Sequence, residues 1–242
     1  RLPVFEPSTG ITRLETVRVS RASADQRAGR AGRTEPGIAI RLWHQGQTAA
    51  LPAFTPPEIL ASDLSNLVLD MAHWGVLEPE GLRFIDPPPA AAWKEAKNLL
   101  QMLGALDKTG ALTAKGRTMR DLALPARLSA MVLAAAENGQ AAEAARLAVL
   151  LTEQGLGGTS LDLEERLRRF EQEKGERASA ARKLAERIVG GLRSNKPQGV
   201  RTTAGRLLIH AYPDRIALSR GARGRFVMAN GRGAEIEETD RL

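Results

Sequence analysis

Three arginines at intervals of three, Arg27, Arg30 and Arg33, stand in the run Gln26-Arg27-Ala28-Gly29-Arg30-Ala31-Gly32-Arg33 with only alanine and glycine between them. On a helix of 3.6 residues per turn they share a face roughly 120° wide, where like charges repel. Gly29 and Gly32 add a second local penalty, about 1 kcal/mol each relative to alanine inside a helix, unless something must approach the backbone closely. Local rules broken twice in so short a stretch point to a functional site, and the chemistry that guanidinium groups offer is anion binding. Upstream, Ser23-Ala24-Asp25-Gln26 fits a capping box, with the Ser23 hydroxyl over the first turn and Gln26 three residues on. In that arrangement the helix start, with its exposed amides, also faces the anion. For Gln26 alone, capping partner and phosphate-site residue fit the local pattern equally well. Arginine supplies 28 of the 35 basic residues, so a bias toward arginine could scatter such runs, but it leaves the two glycines unexplained.

The run is preceded by Ser-x-Ala-x and followed by Thr34-Glu35-Pro36-Gly37 and by Ile38-Ala39-Ile40-Arg41-Leu42-Trp43, whose alternation predicts a strand. The combination resembles motif VI of DEAH-type superfamily 2 helicases, which closes the second of two RecA-like domains. The resemblance implies that the second and third arginines, Arg30 and Arg33, are arginine fingers on the nucleotide phosphates. Gln26 then helps to order the γ-phosphate and the attacking water, Gly29 lies in the same nucleotide-binding stretch, and Arg27 is structural. Phosphoryl transfer is catalysed mainly by positioning and charge neutralisation, which a planar guanidinium serves better than a mobile lysine.

With 242 residues, 43% of them hydrophobic, the chain has room for one to three small globular domains. No run of eighteen apolar residues and no signal-peptide core occur in it, so no membrane partner is expected. The absence of cysteine excludes disulfides and thiolate chemistry, and together these features make a cytoplasmic location the default. His44, His73 and His210 are isolated, without metal-site spacing, so no metal centre is read from the sequence. The net charge of +7 sits at the ends: residues 1 to 50 hold eight arginines against four acids, and residues 201 to 242 eight against five, while the middle sums to zero. Basic ends suit a polyanion.

Several elements must position the run. Pro7-Ser8-Thr9-Gly10 is a turn cluster before the alternating stretch Ile11–Val19, which together read as a hairpin. The resemblance makes this the hairpin inserted between nucleic-acid strands; an ordinary sheet edge is the competing reading. A proline-rich linker covers 44–57, and Thr55-Pro56-Pro57-Glu58 predicts a helix start, with Leu60, Leu64, Leu67, Val68 and Met71 as its apolar stripe and Gly75 as its stop. A short strand, Leu82–Ile85, precedes Asp86-Pro87-Pro88-Pro89 and a helix carrying Trp93, Ala96, Leu99, Leu100 and Leu103. Met71, Trp74, Trp93 and Met102 are assigned to the core. Short helices with a small strand pair suggest a winged helix.

The stretch Leu99–Pro125, with its leucine pair, Leu103-Gly104-Ala105-Leu106-Asp107, a turn and Leu112-Thr113-x-x-Gly116, resembles the helicase-associated region of the same family, in the family order. Alanine-rich helices are predicted for Pro125–Asn138, stopping at Gly139, for Ala141–Gln154, stopping at Gly155, and for Leu161–Leu192, capped by Ser160 and kinked or divided at Gly175. The charged faces around Arg166, Arg168 and Arg169 read as solvated surface ahead of a binding stripe. The resemblance places here a helical bundle that contacts single-stranded nucleic acid. A last helix, Thr203–Ala211, precedes Tyr212-Pro213-Asp214-Arg215-Ile216-Ala217, a strand Arg225–Ala229 and a turn at Asn230-Gly231. These, with Arg-Gly-Ala-Arg-Gly-Arg-Phe and Ala-Asn-Gly-Arg-Gly-Ala, resemble the bacterial HrpB branch of the helicases.

A phosphate-cradling Gly-x-x-x-x-Gly-Lys-Ser/Thr loop and an Asp-Glu-x-His are both missing from the chain. The expectation is therefore a mainly α, multidomain C-terminal portion of a longer ATP-dependent helicase. Residues 1–50 end the second RecA-like α/β domain, 51–120 form a winged helix, 121–200 the helical bundle, and 201–242 begin the β-containing C-terminal module. The full-length protein would use ATP with Mg2+ held by residues outside this chain, partner single-stranded RNA or DNA, and pair this segment with its own first RecA-like domain. The segment alone is expected to be inactive. The alternative is a non-enzymatic winged-helix and helical nucleic-acid-binding scaffold, which accounts for charge and fold but not for the glycine-spaced arginines.

Overall fold

A computed structural model describes residues 2–6, 11–192, 202–221 and 224–237, and shows a mostly helical chain with small antiparallel sheets. It divides into two compact bodies, residues 1–64 with 78–96, and residues 65–77 with 97–242.

In the first body, β1 (Leu2–Glu6) and β2 (Ile11–Glu15) pair antiparallel, with Leu2 opposite Glu15 and Glu6 opposite Ile11. The turn expected at Pro7-Ser8-Thr9-Gly10 lies outside the described residues. The second strand stops at Glu15 rather than Val19, since all five residues of β1 are already matched by then. Phe5 is buried, and its amide donates to the Ala61 carbonyl at 2.6 Å, fastening the hairpin to the 58–61 turn. Helix α1 (Arg21–Ala28) follows, and a short α2 (Gln45–Ala49) interrupts the linker, started by His44, whose Nδ1 accepts from the Gly46 amide at 3.2 Å.

Three expectations fail in this body. Ile38–Trp43 is not a strand: among the described residues no neighbour offers it a ladder, and Ile38, Ile40 and Leu42 stay 89%, 81% and 92% exposed. Leu82–Ile85 likewise forms only a bend after a single 3-10 turn, Pro79–Gly81, and Ile85 is fully exposed. Thr55-Pro56-Pro57-Glu58 opens only one 3-10 turn, Glu58–Leu60, because the Thr55 hydroxyl is engaged with Ser20 at 3.1 Å instead of capping.

The second body opens with α3 (Ser65–His73), which buries Val68, Leu69, Met71 and Ala72. Helix α4 (Ala90–Met102) continues into it and follows the predicted stripe, with Leu99, Leu100 and Leu103 all buried. Met71 and Trp93 are core as expected, whereas Trp74 and Met102 are 63% and 51% exposed. Each falls at a helix end, where the stripe has already turned away from the core. The turn at Asp107–Gly110 is bridged by Leu106 and Leu112, and Thr113 caps α5 (Ala114–Asp121) through the Gly116 amide at 3.0 Å. The Asp107 carboxylate accepts from the Thr109 hydroxyl, the Ala111 amide and the Thr109 amide, which lowers its pKa from the ordinary 3.8.

Alanine then sets the packing. Helices α6 (Ala126–Ala136), α7 (Ala141–Thr152), α8 (Leu163–Gln172), α9 (Glu176–Gly190) and α10 (Ala204–Ala211) share one core. Ala144, Ala145 and Ala148 on α7 and Ala178, Ala181 and Ala185 on α9 are buried, so these two helices meet through small side chains. Met131, Leu147, Leu150 and Phe170 fill the remaining space, each contributing roughly 1.5–3 kcal/mol by leaving water. Gly175 adopts a φ of 116°, closed to other residues, and divides the long stretch into α8 and α9 as its position suggested. The cap of α8 is Asp162 rather than Ser160: its carboxylate accepts from the Glu164 and Glu165 amides, while the Ser160 hydroxyl bonds Glu165 at 2.7 Å. Past α10, capped by Thr203, β3 (Ala217–Ser219), β4 (Arg225–Met228) and β5 (Gly233–Glu235) form an antiparallel meander, with the predicted Asn230-Gly231 turn between the last two.

Several arginines of this body are committed to the fold. Arg182 donates to the carbonyls of Phe170 and Glu173 past the end of α8, Arg166 to that of Leu156, and Arg177 to that of Gln154 after α7. Apart from that of Phe170, which also accepts from the Glu173 amide, these are carbonyls that a helix end or loop leaves without a backbone donor among the described residues. Arg169 pairs with Glu165 one turn away, and Arg168 reaches the Glu164 carbonyl.

Candidate functional site

Helix α1 carries the first part of the arginine run, and its start is sealed. The amides of Arg21 and Ala22 donate to the carbonyls of Pro52 and Ala53 at 2.8 and 3.1 Å, that of Ser23 to the Ser20 hydroxyl at 3.2 Å, and that of Ala24 to the Ser20 carbonyl at 2.9 Å. The cap is therefore Ser20, three residues before the expected Ser23, and the capping box does not form because Ser23 is already inside the helix. A helix start with all four amides bonded within the protein has no donor left for an anion, which corrects the expectation that it faces one.

The run lies at the opposite end. Helix α1 stops at Ala28, so Gln26 and Arg27 are on its last turn while Arg30 and Arg33 lie beyond it. The shared helical face is thus not present; two tightening turns, Arg30 amide to Arg27 carbonyl at 3.2 Å and Ala31 amide to Ala28 carbonyl at 3.1 Å, lead into a loop instead. The end of a helix carries partial negative charge, which offsets the mutual repulsion of the guanidinium groups by about 0.3–1 kcal/mol for a nearby cation. Gly37 folds back onto this loop: a Cβ there would come within 1.8 Å of the Ala31 carbonyl oxygen. Gly29 and Gly32 are different, since a Cβ would find its nearest neighbour at 3.5 and 3.9 Å, ordinary contact distances. Gly29 also has an ordinary helical φ of −60°. The protein's own packing requires glycine at neither position.

Gln26, Arg27, Arg30 and Arg33 are all exposed, and among the described residues no side chain or carbonyl accepts from any of the three guanidinium groups. Asp25, the acid nearest to them on α1, is already taken by Arg41 through an ion pair and hydrogen bond. Sequence reasoning missed this contact, because a pairing across sixteen residues leaves no periodic signal; the alternation at 38–43 indicated only that Arg41 projects away from Ile40 and Leu42. The arrangement offers unneutralised, planar donors on a short loop. It suits a multiply charged oxyanion such as a nucleotide phosphate. Among the described residues no group of three or more histidine, aspartate or glutamate side chains could hold a metal ion. Nor is any described helix long and apolar enough to cross a membrane.

No family model matches the chain. It is 40% identical over all 242 residues to the ATP-dependent RNA helicase HrpB of Escherichia coli strain K12, and spans 29% of that protein's length. Over 129 residues, 53% of this chain and 11% of the relative, it is 37% identical to the probable ATP-dependent RNA helicase DHX34 of Homo sapiens. Two crystal structures of the E. coli protein, described as a DExH-box NTPase and as a DEAH/RHA helicase, match the whole chain with TM-scores of 0.81 and 0.82 at 40% and 39% identity. The chain covers 29% and 30% of those structures.

Proposed function

From a chain that is homologous over its whole length to a segment of the HrpB-type DExH-box helicases, we propose that it forms part of an ATP-dependent RNA helicase and supplies its arginine fingers. One observation carries the reading: Arg30 and Arg33 stand free among the described residues, on a loop whose Gly29 and Gly32 the fold itself does not need. In the full-length protein, the two guanidinium groups bind the nucleotide phosphates and neutralise the charge that develops during γ-phosphoryl transfer. Gln26, which lies on the last turn of α1, holds the attacking water in this reading. Arg27 precedes the loop and serves to shape it. Mg2+ and the remaining phosphate contacts belong to residues outside this chain.

The accessory segments follow the same assignment. Helices α3, α4 and α5 with the Leu106–Leu112 bridge support a winged helix within 51–120, and helices α6 to α9 of the shared core support a helicase-associated bundle at 121–200 that contacts single-stranded RNA. Residues 1–50 complete a second RecA-like domain, the β1–β2 hairpin lies between nucleic-acid strands, and 201–242 begin the C-terminal module.

The test is Arg30→Ala and Arg33→Ala in the full-length protein. Loss of an arginine finger lowers turnover by about 10³-fold or more. Because both side chains are exposed and unpaired, thermal melting should not move. Wild-type ATP turnover in either variant overturns the assignment. The 242-residue chain by itself should hydrolyse no ATP. If it instead binds RNA normally and the full-length sequence lacks a phosphate loop, the non-enzymatic scaffold is the correct reading.

A further inference from the structure

The hairpin at 104–113, between α4 and α5, is closed by its own groups. The Thr113 amide and hydroxyl donate to the Ala105 carbonyl at 3.0 and 3.1 Å, the same hydroxyl lies 2.7 Å from the Gly104 carbonyl, and the Asp107 amide reaches the Ala111 carbonyl at 2.9 Å. The Asp107 carbonyl takes the Gly110 amide and the Gln101 side-chain amide, both at 3.0 Å, and its Oδ1 takes the Thr109 hydroxyl and the amides of Thr109 and Ala111. None of these acceptors needs a cation. Cations surround the hairpin nonetheless. The stem of Lys115 crosses Gly104 and that of Lys97 crosses Gly110, each with its amino group 3.8 Å from the place a Cβ would occupy. Both glycines have positive φ, 74° and 88°, and leave bare backbone on which the stems lie. Lys108 in the turn and Lys115 on the first turn of α5 are exposed, and among the described residues neither has a side-chain partner. Their type also departs from the rest of the chain: arginine outnumbers lysine 28 to 7, yet residues 84–116 contain four lysines and no arginine. Asp107 is the one acid between Glu95 and Asp121.

We infer that this hairpin is a contact for the RNA backbone, with Lys108 in its turn and Lys115 at its base each binding a phosphate. The inference rests on the reading of the full-length protein as an RNA helicase. A lysine ammonium is a compact, hydrated charge on a mobile stem, without the fixed fork by which a guanidinium grips a phosphate. The fork suits a nucleotide held still, as at Arg30 and Arg33. The mobile charge suits a backbone that has to move past. Contacts of this kind carry no base preference. Turn and base are separated by about three residues of extended chain, roughly 10 Å, so the two charges meet different phosphates.

The size of the effect follows from counterion release. Each phosphate neutralised on a single strand adds about 0.7 to the slope of log affinity against log salt, which amounts to about fivefold in affinity at 0.1 M salt. Loss of both lysines therefore weakens RNA binding by roughly 25-fold at that salt and lowers the slope by about 1.4.

The experiment is a salt titration of binding to a single-stranded oligoribonucleotide of mixed sequence by the full-length protein, as wild type, Lys108→Gln, Lys115→Gln and the double variant. Each single change should cost about fivefold at 0.1 M salt, and the double change the full loss in affinity and slope. Melting temperature and ATP turnover without RNA should stay at wild-type values, since both side chains are exposed and neither belongs to the nucleotide site. A second readout needs no variant: RNA bound to the wild type should shield Lys108 and Lys115 from acetylation by an amine-reactive reagent, followed by mass spectrometry. Wild-type affinity and slope in the double variant overturn the inference, and so does acetylation of both lysines in the RNA complex at the rate of the free protein. A wild-type protein that binds no RNA refutes the helicase reading itself, whereas RNA binding that the double variant retains in full refutes only the role of the hairpin.

Discussion

Three glycines around the arginine loop should separate sharply under substitution by alanine. At Gly37 an added Cβ lands 1.8 Å from the Ala31 carbonyl oxygen and 2.5 Å from its carbon, both backbone atoms that no rotamer change can move aside. Ordinary contact begins near 3.4 Å, so the two strands of the loop must separate by more than 1.5 Å or so. That displacement falls on the segment between Ala31 and Gly37, which contains Arg33. A misplacement of about 1 Å in a catalytic group costs on the order of 100-fold in rate, so Gly37→Ala should lower ATP turnover of the full-length protein by at least that factor. At Gly29 and Gly32 the same methyl meets nothing closer than 3.5 and 3.9 Å, so the fold accepts it. In Gly29 the φ of −60° is one that alanine adopts without strain, and reduced freedom of the unfolded chain should stabilise the protein by about 0.4–1 kcal/mol. If a nucleotide approaches the backbone there, both variants nevertheless lose turnover while melting at or above the wild-type temperature. The assay is steady-state ATP hydrolysis beside thermal denaturation for all three variants. Gly29→Ala and Gly32→Ala with undiminished turnover would show that nothing approaches their backbone, and full activity in Gly37→Ala would show that the loop is not held as described.

Two further predictions concern the second body. Arg127 is bound to Asp214 in two parallel bonds of 2.6 and 3.1 Å, reaches the Ala211 carbonyl at 2.9 Å and lies 5.2 Å from the Tyr212 ring, with the two charged side chains only 11% and 19% exposed. Breaking such a pair from one side strands a largely buried carboxylate, so Arg127→Ala should cost about 3 kcal/mol and lower the melting temperature by roughly 6–12 °C; a shift under about 2 °C would show that the clamp is not structural. Asp107 has its pKa lowered chiefly by the Thr109 hydroxyl and the Ala111 amide. A carboxylate depressed on folding adds stability above its unfolded value that is lost as pH falls through the folded one, so Asp107→Asn should melt below wild type at neutral pH and converge with it below about pH 4. A gap that persists unchanged into acid contradicts that linkage.

The sequence made the helical half of the fold legible and the extended half much less so. The boundaries of α6, α7 and α10 follow from apolar periodicity, Gly139, Gly155 and the Thr203 cap, all signals local to each helix. Strands depend on a neighbour that periodicity cannot reveal, which is why Ile38–Trp43 and Leu82–Ile85 alternate like strands yet form none. Caps were misplaced for a related reason. Ser23, Thr55 and Ser160 each fit a cap by pattern, but the hydroxyls of Thr55 and Ser160 bond other side chains, and Ser20 and Asp162 do the capping at α1 and α8. At the candidate site the geometry was not legible: the run is a loop at the end of a helix, not a stripe along one.

That difference bears on how arginines should be sorted in so arginine-rich a chain. Charge alone makes Arg30, Arg33, Arg166 and Arg182 equivalent, and their spacing does little better. Acceptors within reach separate them. Arg166 and Arg182 reach the carbonyls of Leu156 and Glu173, for which the described backbone offers no other donor, and an arginine there closes a hydrogen-bonding deficit of the fold itself. Arg120 and Arg127 meet Asp70 and Asp214 on other elements and join them. At the end of α1 the carbonyls of Asp25, Arg27 and Ala28 already accept from following amides, and the carboxylate of Asp25 is taken by Arg41. Arg30 and Arg33 are left as donors for which the described structure supplies no acceptor. A guanidinium left without an acceptor gains nothing for the fold, so its free bonding capacity is what a phosphate arriving from solution can use.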